Sequence, residues 1–246
     1  GYSLVDIEPY LPKRSRFRGT LKTSSIGDFV AYTKARHAEA LKPAGFIDAD
    51  KMSATVLFNL GDADNPGHGD HTAVLQLKPT AAYAAMIAAN GKRFGQRDLI
   101  DWLCDWFPNA EPFKGITDQP DTFEVMPRSG ALDAIRQVTI TAKSETDSRV
   151  GDFAASASTF DEIEAKTRIG LPSGFLFRTP PYLGLEERTY TLRLSLLTGD
   201  PKSPPQLSLR VVQLETHQEA TAQAFKDRLL KDLEGVAVLT VGTFAL

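Results

Sequence analysis

The chain has 246 residues, of which 42% are hydrophobic and 24% charged, and its formal net charge is -3. This composition is typical of a globular protein with one large domain or two modest ones. The weak negative charge gives no general reason to expect a nucleic acid or an anionic membrane as partner, and no apolar run approaches the roughly 18 residues that a membrane-spanning helix needs.

The first 22 residues are predicted to form an extended N-terminal arm. Residues 2–12 are interrupted by prolines, and residues 13–22 (KRSRFRGTLK) hold five basic residues around one aromatic. One interpretation is a polyanion-binding segment in which Phe17 stacks on a base. The alternative is a strand edge whose positive charge prevents pairing with other strands. The candidate polyanion-binding residues are Lys13, Arg14, Arg16, Phe17, Arg18 and Lys22.

Residues 23–115 are predicted to form an α+β sub-domain. Ser25 caps a helix that runs to about Leu41, and a short strand begins at Phe46. Periodicity and capping residues then predict four further elements: strands over 53–60 and 72–77, which pair antiparallel, and helices over 81–90 and 96–107.

The loop over residues 61–71 between these two strands carries three aspartates and the only close histidine pair. Carboxylates and imidazoles are ligands for divalent metals, so His68, Asp70 and His71 are candidate metal ligands. Their spacing matches no established metal motif. The alternative is that Asp70 and His71 orient the loop through hydrogen bonds.

Trp102 and Trp106 lie four residues apart on the second of these helices. This spacing places them on one face, as core or subunit-interface residues or as a platform for an aromatic ligand. Cys104 lies between them and is the only cysteine, which excludes an intramolecular disulfide and suits a reducing cytoplasm. We expect it to be a buried structural thiol.

Residues 116–246 are predicted to form a β-rich sub-domain, although the whole chain could be one continuous domain. Residues 109–122 look irregular. Alternation or capping residues then predict the following elements: strands over 123–126, 138–142, 163–169 and 236–241, helices over 129–136 and 216–234, and a hairpin of strands 190–196 and 207–211 with its turn at 198–205. The absence of regular strand–helix alternation indicates an α+β fold with mixed or antiparallel sheets and helices on one face.

Several segments resemble the YfdQ-like family of phage and prophage proteins. They are residues 18–20 (RGT), 24–32 (SSIGDFVAY), 69–80 (GDHTAVLQLKPT), 97–99 (RDL), 168–172 (RIGLP) and the strand from Tyr190. The resemblance covers most of the chain and implies a phage-encoded origin and the host cytoplasm, without a mechanism.

We find no phosphate-binding loop, dinucleotide-binding or nucleophile-elbow motif. The first hypothesis is therefore a non-enzymatic, self-associating protein that binds other copies, or other phage or host proteins, without a cofactor. The second is a nucleic-acid accessory protein in phage replication, recombination or defence evasion that uses residues 13–22. The third is a metal-dependent hydrolase that uses the loop at residues 62–71.

Overall fold

The computed structural model describes residues 5–37, 43–117, 119–147, 170–197 and 206–245, without the side chains of 139–147. The chain forms two compact units. The first consists of Gly1–Lys78, Tyr182–Leu185 and His217–Leu246, and the second of Pro79–Pro181 and Glu186–Thr216. Five α-helices and eleven strands lie in the described residues, which confirms the α+β class.

The first unit contains a mixed five-stranded sheet in the order β1-β4-β3-β2-β11. Its strands are β1 (Gly19–Thr23), β2 (Ala44–Asp48), β3 (Ser53–Leu57), β4 (His71–Gln76) and β11 (Val238–Val241). The outer strands β1 and β11 run parallel to their neighbours, whereas β2, β3 and β4 pair antiparallel. The predicted hairpin of residues 53–60 and 72–77 is therefore confirmed.

Two helices contribute to the first unit: α1 (Ile26–Arg36) and, from His217 onward, α5 (Leu214–Asp232). The Ser25 hydroxyl accepts a hydrogen bond from the Asp28 amide and caps α1, as predicted. One hydrophobic cluster contains the buried side chains of both helices and the inward residues of the strands, including Phe29, Phe225, Val56, Ala73 and Leu75. The alternation of β3 and β4 therefore serves a single buried face of the sheet.

The second unit contains a six-stranded antiparallel sheet in the order β5-β10-β9-β8-β6-β7. The strands are β5 (Arg93–Phe94), β6 (Ala110–Lys114), β7 (Glu124–Val125), β8 (Gly174–Thr179), β9 (Arg188–Leu197) and β10 (Gln206–Val211). The helices are α2 (Ala81–Ala89), α3 (Gln96–Trp106) and α4 (Arg128–Asp147). The hairpin predicted from residues 190–196 and 207–211 is confirmed as β9 and β10.

The segment predicted to be irregular, residues 109–122, contains β6, so that prediction was wrong. Pro112 within β6 argued against a strand in the sequence analysis, because proline has no amide hydrogen to donate to a neighbouring strand. Its carbonyl accepts from the Met126 amide, so the side of Pro112 that lacks a donor faces the two-residue strand β7. The ladder to β8 keeps its hydrogen bonds on the other side.

The strand predicted over residues 138–142 was also wrong, because α4 runs through it. The buried side chains of Ala131, Ile135 and Val138 follow a helical spacing, and this longer pattern outweighs five alternating residues. The predicted end of α1 near Leu41, the strand at 163–169 and the turn at 198–205 lie outside the described residues.

Two further expectations differ from the structure. Cys104 is exposed, because the buried stripe of α3 runs through Leu99 and Leu103 and leaves Cys104 on the aspartate-bearing side. The sub-domain boundary predicted between residues 115 and 116 falls inside the second compact unit. In the described part of the chain, no helix is long and apolar enough to cross a membrane.

Candidate functional site

The candidate site lies in the first unit, where the end of the N-terminal arm meets the start of β4. Strand β1 runs parallel to β4, and Gly19 lies opposite His71. The residues just before β1 must therefore lie beside those just before β4. The Gly19 amide donates to the Asp70 carbonyl at 2.8 Å. The register thus brings two segments together that are about fifty residues apart in the sequence.

One oxygen of the Asp70 carboxylate accepts two side-chain hydrogen bonds. The Arg16 guanidinium donates to it, and the Asn59 amide nitrogen donates to the same oxygen at 2.8 Å. These hydrogen bonds, Arg16 first and Asn59 second, lower the pKa of Asp70 to about 2. Both side chains of the ion pair are about one-third exposed. Asp70 is therefore an ionised anchor for Arg16, not a proton donor near neutral pH.

His71 is buried, with 5% of its surface exposed. Its ring centroid lies 4.5 Å from those of Phe17 and Phe58. Its Nε2 is 3.1 Å from the Tyr32 hydroxyl, and its backbone amide donates to the Asn59 side-chain oxygen at 2.9 Å. Phe17 brings the arm into this group of rings. We call the contacts of Arg16 and Phe17 with Asp70 and His71 the arm anchor.

Arg36, at the end of α1, covers the arm anchor from another direction. Its Cζ lies 4.6 Å from the Phe17 ring centroid and 5.6 Å from that of Tyr32, which are distances of cation–π contacts. A nucleic-acid base could stack on this face of Phe17 only after displacing Arg36. Phe17 nevertheless remains 53% exposed.

The loop before the arm anchor is built by close backbone contacts. The Asp62 carboxylate accepts from the amides of Asp64 and Asn65, which is an Asx turn. Gly61 has a positive φ of 74°. A β-carbon at Gly67 would overlap the Asn59 carbonyl oxygen. The glycines and Asp62 therefore have structural roles in this loop.

The three candidate metal ligands do not form a metal-binding arrangement. His68 is exposed, the Oδ1 atom of Asp70 accepts from both Arg16 and Asn59, and the His71 ring contacts the rings of Phe17, Phe58 and Tyr32. In the residues that the structure describes, no three His, Cys, Asp or Glu side chains converge as they would around a metal ion. The contacts instead fit the alternative in which Asp70 and His71 orient the loop.

The basic segment is divided between paired and exposed cations. Arg16 pairs with Asp70, and Arg18 pairs with Glu8 of the arm. Lys13, Arg14 and Lys22 are exposed, and no acidic side chain in the described part of the chain forms an ion pair with them. Lys22 lies on the edge strand β1, as the edge-protection interpretation requires. All three exposed cations are accessible to a polyanion, so both interpretations are consistent with the structure.

The two tryptophans lie in the second unit and are half-buried. The Trp102 ring stacks on Phe177 at 5.9 Å between centroids and lies 6.5 Å from Phe94. Trp102 is therefore packed between α3 and the sheet of its own unit. Its predicted role at a subunit interface remains a prediction, as does that of Trp106.

Sequence reasoning missed three residues of this site: Tyr32, Arg36 and Asn59. Asn59 stands at the end of the alternating run of residues 53–60, where a polar residue is unremarkable. Its role appears only when its two amide atoms are seen to join Asp70 to the backbone of His71. Nothing in the local sequence pairs Tyr32 or Arg36 with the arm, because these contacts depend on the register of β1 and β4.

The comparisons with known proteins give one match. A family model described as an uncharacterized conserved protein, DUF2303, matches residues 1–244. No curated protein and no solved structure matches the chain.

Proposed function

The chain belongs to the DUF2303 family, and from this premise we propose that it is a non-enzymatic, self-associating protein that acts through binding surfaces. The phage or prophage origin in this proposal rests on the YfdQ-like residue pattern. Asp70 and His71, two of the three candidate metal ligands predicted from the sequence, instead contact Arg16 and Phe17 of the arm.

The observation that carries the proposal is the apolar surface of the anchored arm. Four large hydrophobic side chains precede the arm anchor and are exposed: Val5 by 69%, Ile7 by 64%, Tyr10 by 84% and Leu11 by 47%. Exposed apolar side chains are common singly, but a group of them marks a contact surface. Because Arg16 and Phe17 fix the base of the arm, this group is presented from a held segment, which lowers the entropic cost of binding.

We expect the full chain to have a mass above that of one copy in light scattering at micromolar concentration. Replacing Val5, Ile7, Tyr10 and Leu11 together by serine should weaken self-association by about tenfold or more, since each apolar side chain that becomes buried contributes about 1 kcal/mol or more. Serine replacement of the exposed Leu183 and Leu230 is the control for a general loss of surface hydrophobicity. A strictly monomeric wild-type protein would overturn the proposal.

A second candidate function is polyanion binding, supported by the exposed cations Lys13, Arg14 and Lys22. If they contact phosphates, changing all three to alanine should reduce the slope of log affinity against log salt by up to about 2 for single-stranded DNA. The matched control removes three exposed cations elsewhere: Arg93, Arg210 and Lys231. Equal salt dependence of the wild type and the Lys13, Arg14 and Lys22 variant would end this candidate. Arg16 and Arg18 are left intact because their loss would also break ion pairs within the arm and its anchor.

A further inference from the structure

The last strand of the first unit, β11, is an edge strand, and the residues that the structure describes provide no device that would prevent its pairing. It pairs with β2 on one side and ends the strand order of the sheet on the other. Residues 236–246 (VAVLTVGTFAL) contain no charged residue and no proline. Val238 is 60% and Val241 57% exposed. Natural proteins normally protect such an edge with charge, proline, a bulge or a covering segment.

The opposite edge of the same sheet shows the contrast. Strand β1 carries Lys22 and directly follows Arg18, so two copies of this edge would bring like charges together. Two copies of β11 would meet no such repulsion.

The backbone of β11 has hydrogen-bonding groups directed to its open edge. The amides of Val238 and Gly242 donate to the carbonyls of Pro43 and Ile47 at 2.9 and 2.8 Å. In a strand, successive residues direct these groups to opposite sides. The amides and carbonyls of Leu239 and Val241 therefore point away from β2, where no other strand of the described chain lies.

We propose that β11 pairs antiparallel with β11 of a second copy across a two-fold axis. Thr240 then lies opposite the partner's Thr240, and Leu239 lies opposite the partner's Val241. In this register the outward groups of Leu239 and Val241 all find partners, and the two five-stranded sheets become continuous. The inference adds a second surface, beside that of the arm, to the self-association proposed above and rests on that proposal.

A second copy is the occupant that these features favour. An antiparallel pair of identical strands is self-complementary under a two-fold axis, and it closes after two copies. The uncharged sequence matches an uncharged partner strand of the same length, and exposed Val241 gains an apolar neighbour in the partner's Leu239. A partner chosen by charge would need acidic or basic side chains along this edge, and residues 236–246 offer none.

The test is a charge swap at Thr240, whose side chain is exposed. Thr240→Lys and Thr240→Glu each place like charges directly opposite one another across the axis. In sedimentation equilibrium of the full chain, each variant should raise the dimer dissociation constant by up to about fivefold. An equimolar mixture of the two should return to within about twofold of the wild-type constant, because lysine then faces glutamate. The control is Thr189→Lys, an exposed position on β9 of the other sheet, which should leave the constant unchanged.

Recovery in the mixture is the decisive outcome, since only a surface that meets its own copy at Thr240 can produce it. If Thr240→Lys associates as strongly as Thr189→Lys, or if the mixture stays as dissociated as the single variants, the pairing is overturned while the proposed self-association through other surfaces stands. If the wild type is monomeric at every concentration, both are overturned. Circular dichroism of each variant verifies that the fold is retained, and the glutamate variant replaces the lysine variant if the latter fails to fold.

Discussion

His71→Ala is expected to lower the free energy of unfolding by about 2–4 kcal/mol, the usual cost of removing a large buried side chain. The ring is 5% exposed and fills the space between Phe17, Phe58 and Tyr32. Its loss removes the contact that holds Phe17 and leaves a cavity, so the arm should also be released. Urea denaturation gives the first quantity, and the rate of trypsin cleavage after Arg16 or Arg18 gives the second.

The same loop provides a matched control. His68→Ala removes an identical side chain from an exposed position three residues earlier and should change stability by less than about 0.5 kcal/mol. Tyr32→Phe removes only the hydroxyl that lies 3.1 Å from His71 and should cost about 1 kcal/mol. Equal stabilities of the two histidine variants would show that His71 does not hold the arm.

Gly174→Ala is expected to destabilise the protein by about 3 kcal/mol, at the upper end of the cost of overpacking. Gly174 begins β8, opposite Arg193 of β9 and Phe113 of β6. A β-carbon there would overlap the carbonyl oxygen of Leu192. Because that atom belongs to the backbone of a central strand, it cannot move aside without disturbing the ladder. Urea denaturation measures the loss.

Gly130→Ala is the control with the opposite expected sign. Gly130 lies in the first turn of α4, and a β-carbon there would come no nearer than 3.8 Å to Met126. Alanine favours a helix over glycine by up to about 1 kcal/mol, so this variant should be neutral or more stable. A Gly174→Ala protein as stable as the Gly130→Ala protein would contradict the close packing inferred for β8.

Sequence patterns predicted most of the helices and strands that are determined by residues close together in the sequence. Thr80 accepts a hydrogen bond from the Tyr83 amide and caps α2, as its position before an alanine-rich run indicates. The alternation from Tyr190 to Leu196 reflects a strand with one buried face, because Tyr190, Leu192 and Leu196 are all buried. In each case the residues that set the structure are neighbours in the sequence.

The errors have causes that a local pattern does not contain. Pro112 is accepted in β6 because its neighbour on that side is only two residues long, a property of the sheet and not of the segment. The residues of the candidate site were predicted as two separate features, the basic segment at residues 13–22 and the loop over residues 61–71. These two features lie side by side only because β1 and β4 pair in parallel register, and no residue near either segment specifies that register. The pairing of Arg16 with Asp70 could therefore not be predicted.

The interleaving of the two units has a consequence for synthesis and for the choice of expression fragments. The first unit needs β11 for its sheet, and for its core it needs Phe225 and Leu229 of α5 and Leu233 just after that helix. All of these residues follow the second unit in the chain. During synthesis, residues 1–78 therefore cannot complete the core of the first unit until the second unit has been synthesised. A fragment ending before His217 would leave Phe29 and Ile47 without their partners from α5 and should aggregate. A fragment that omits both segments of the second unit, Pro79–Pro181 and Glu186–Thr216, keeps every segment that the first unit requires.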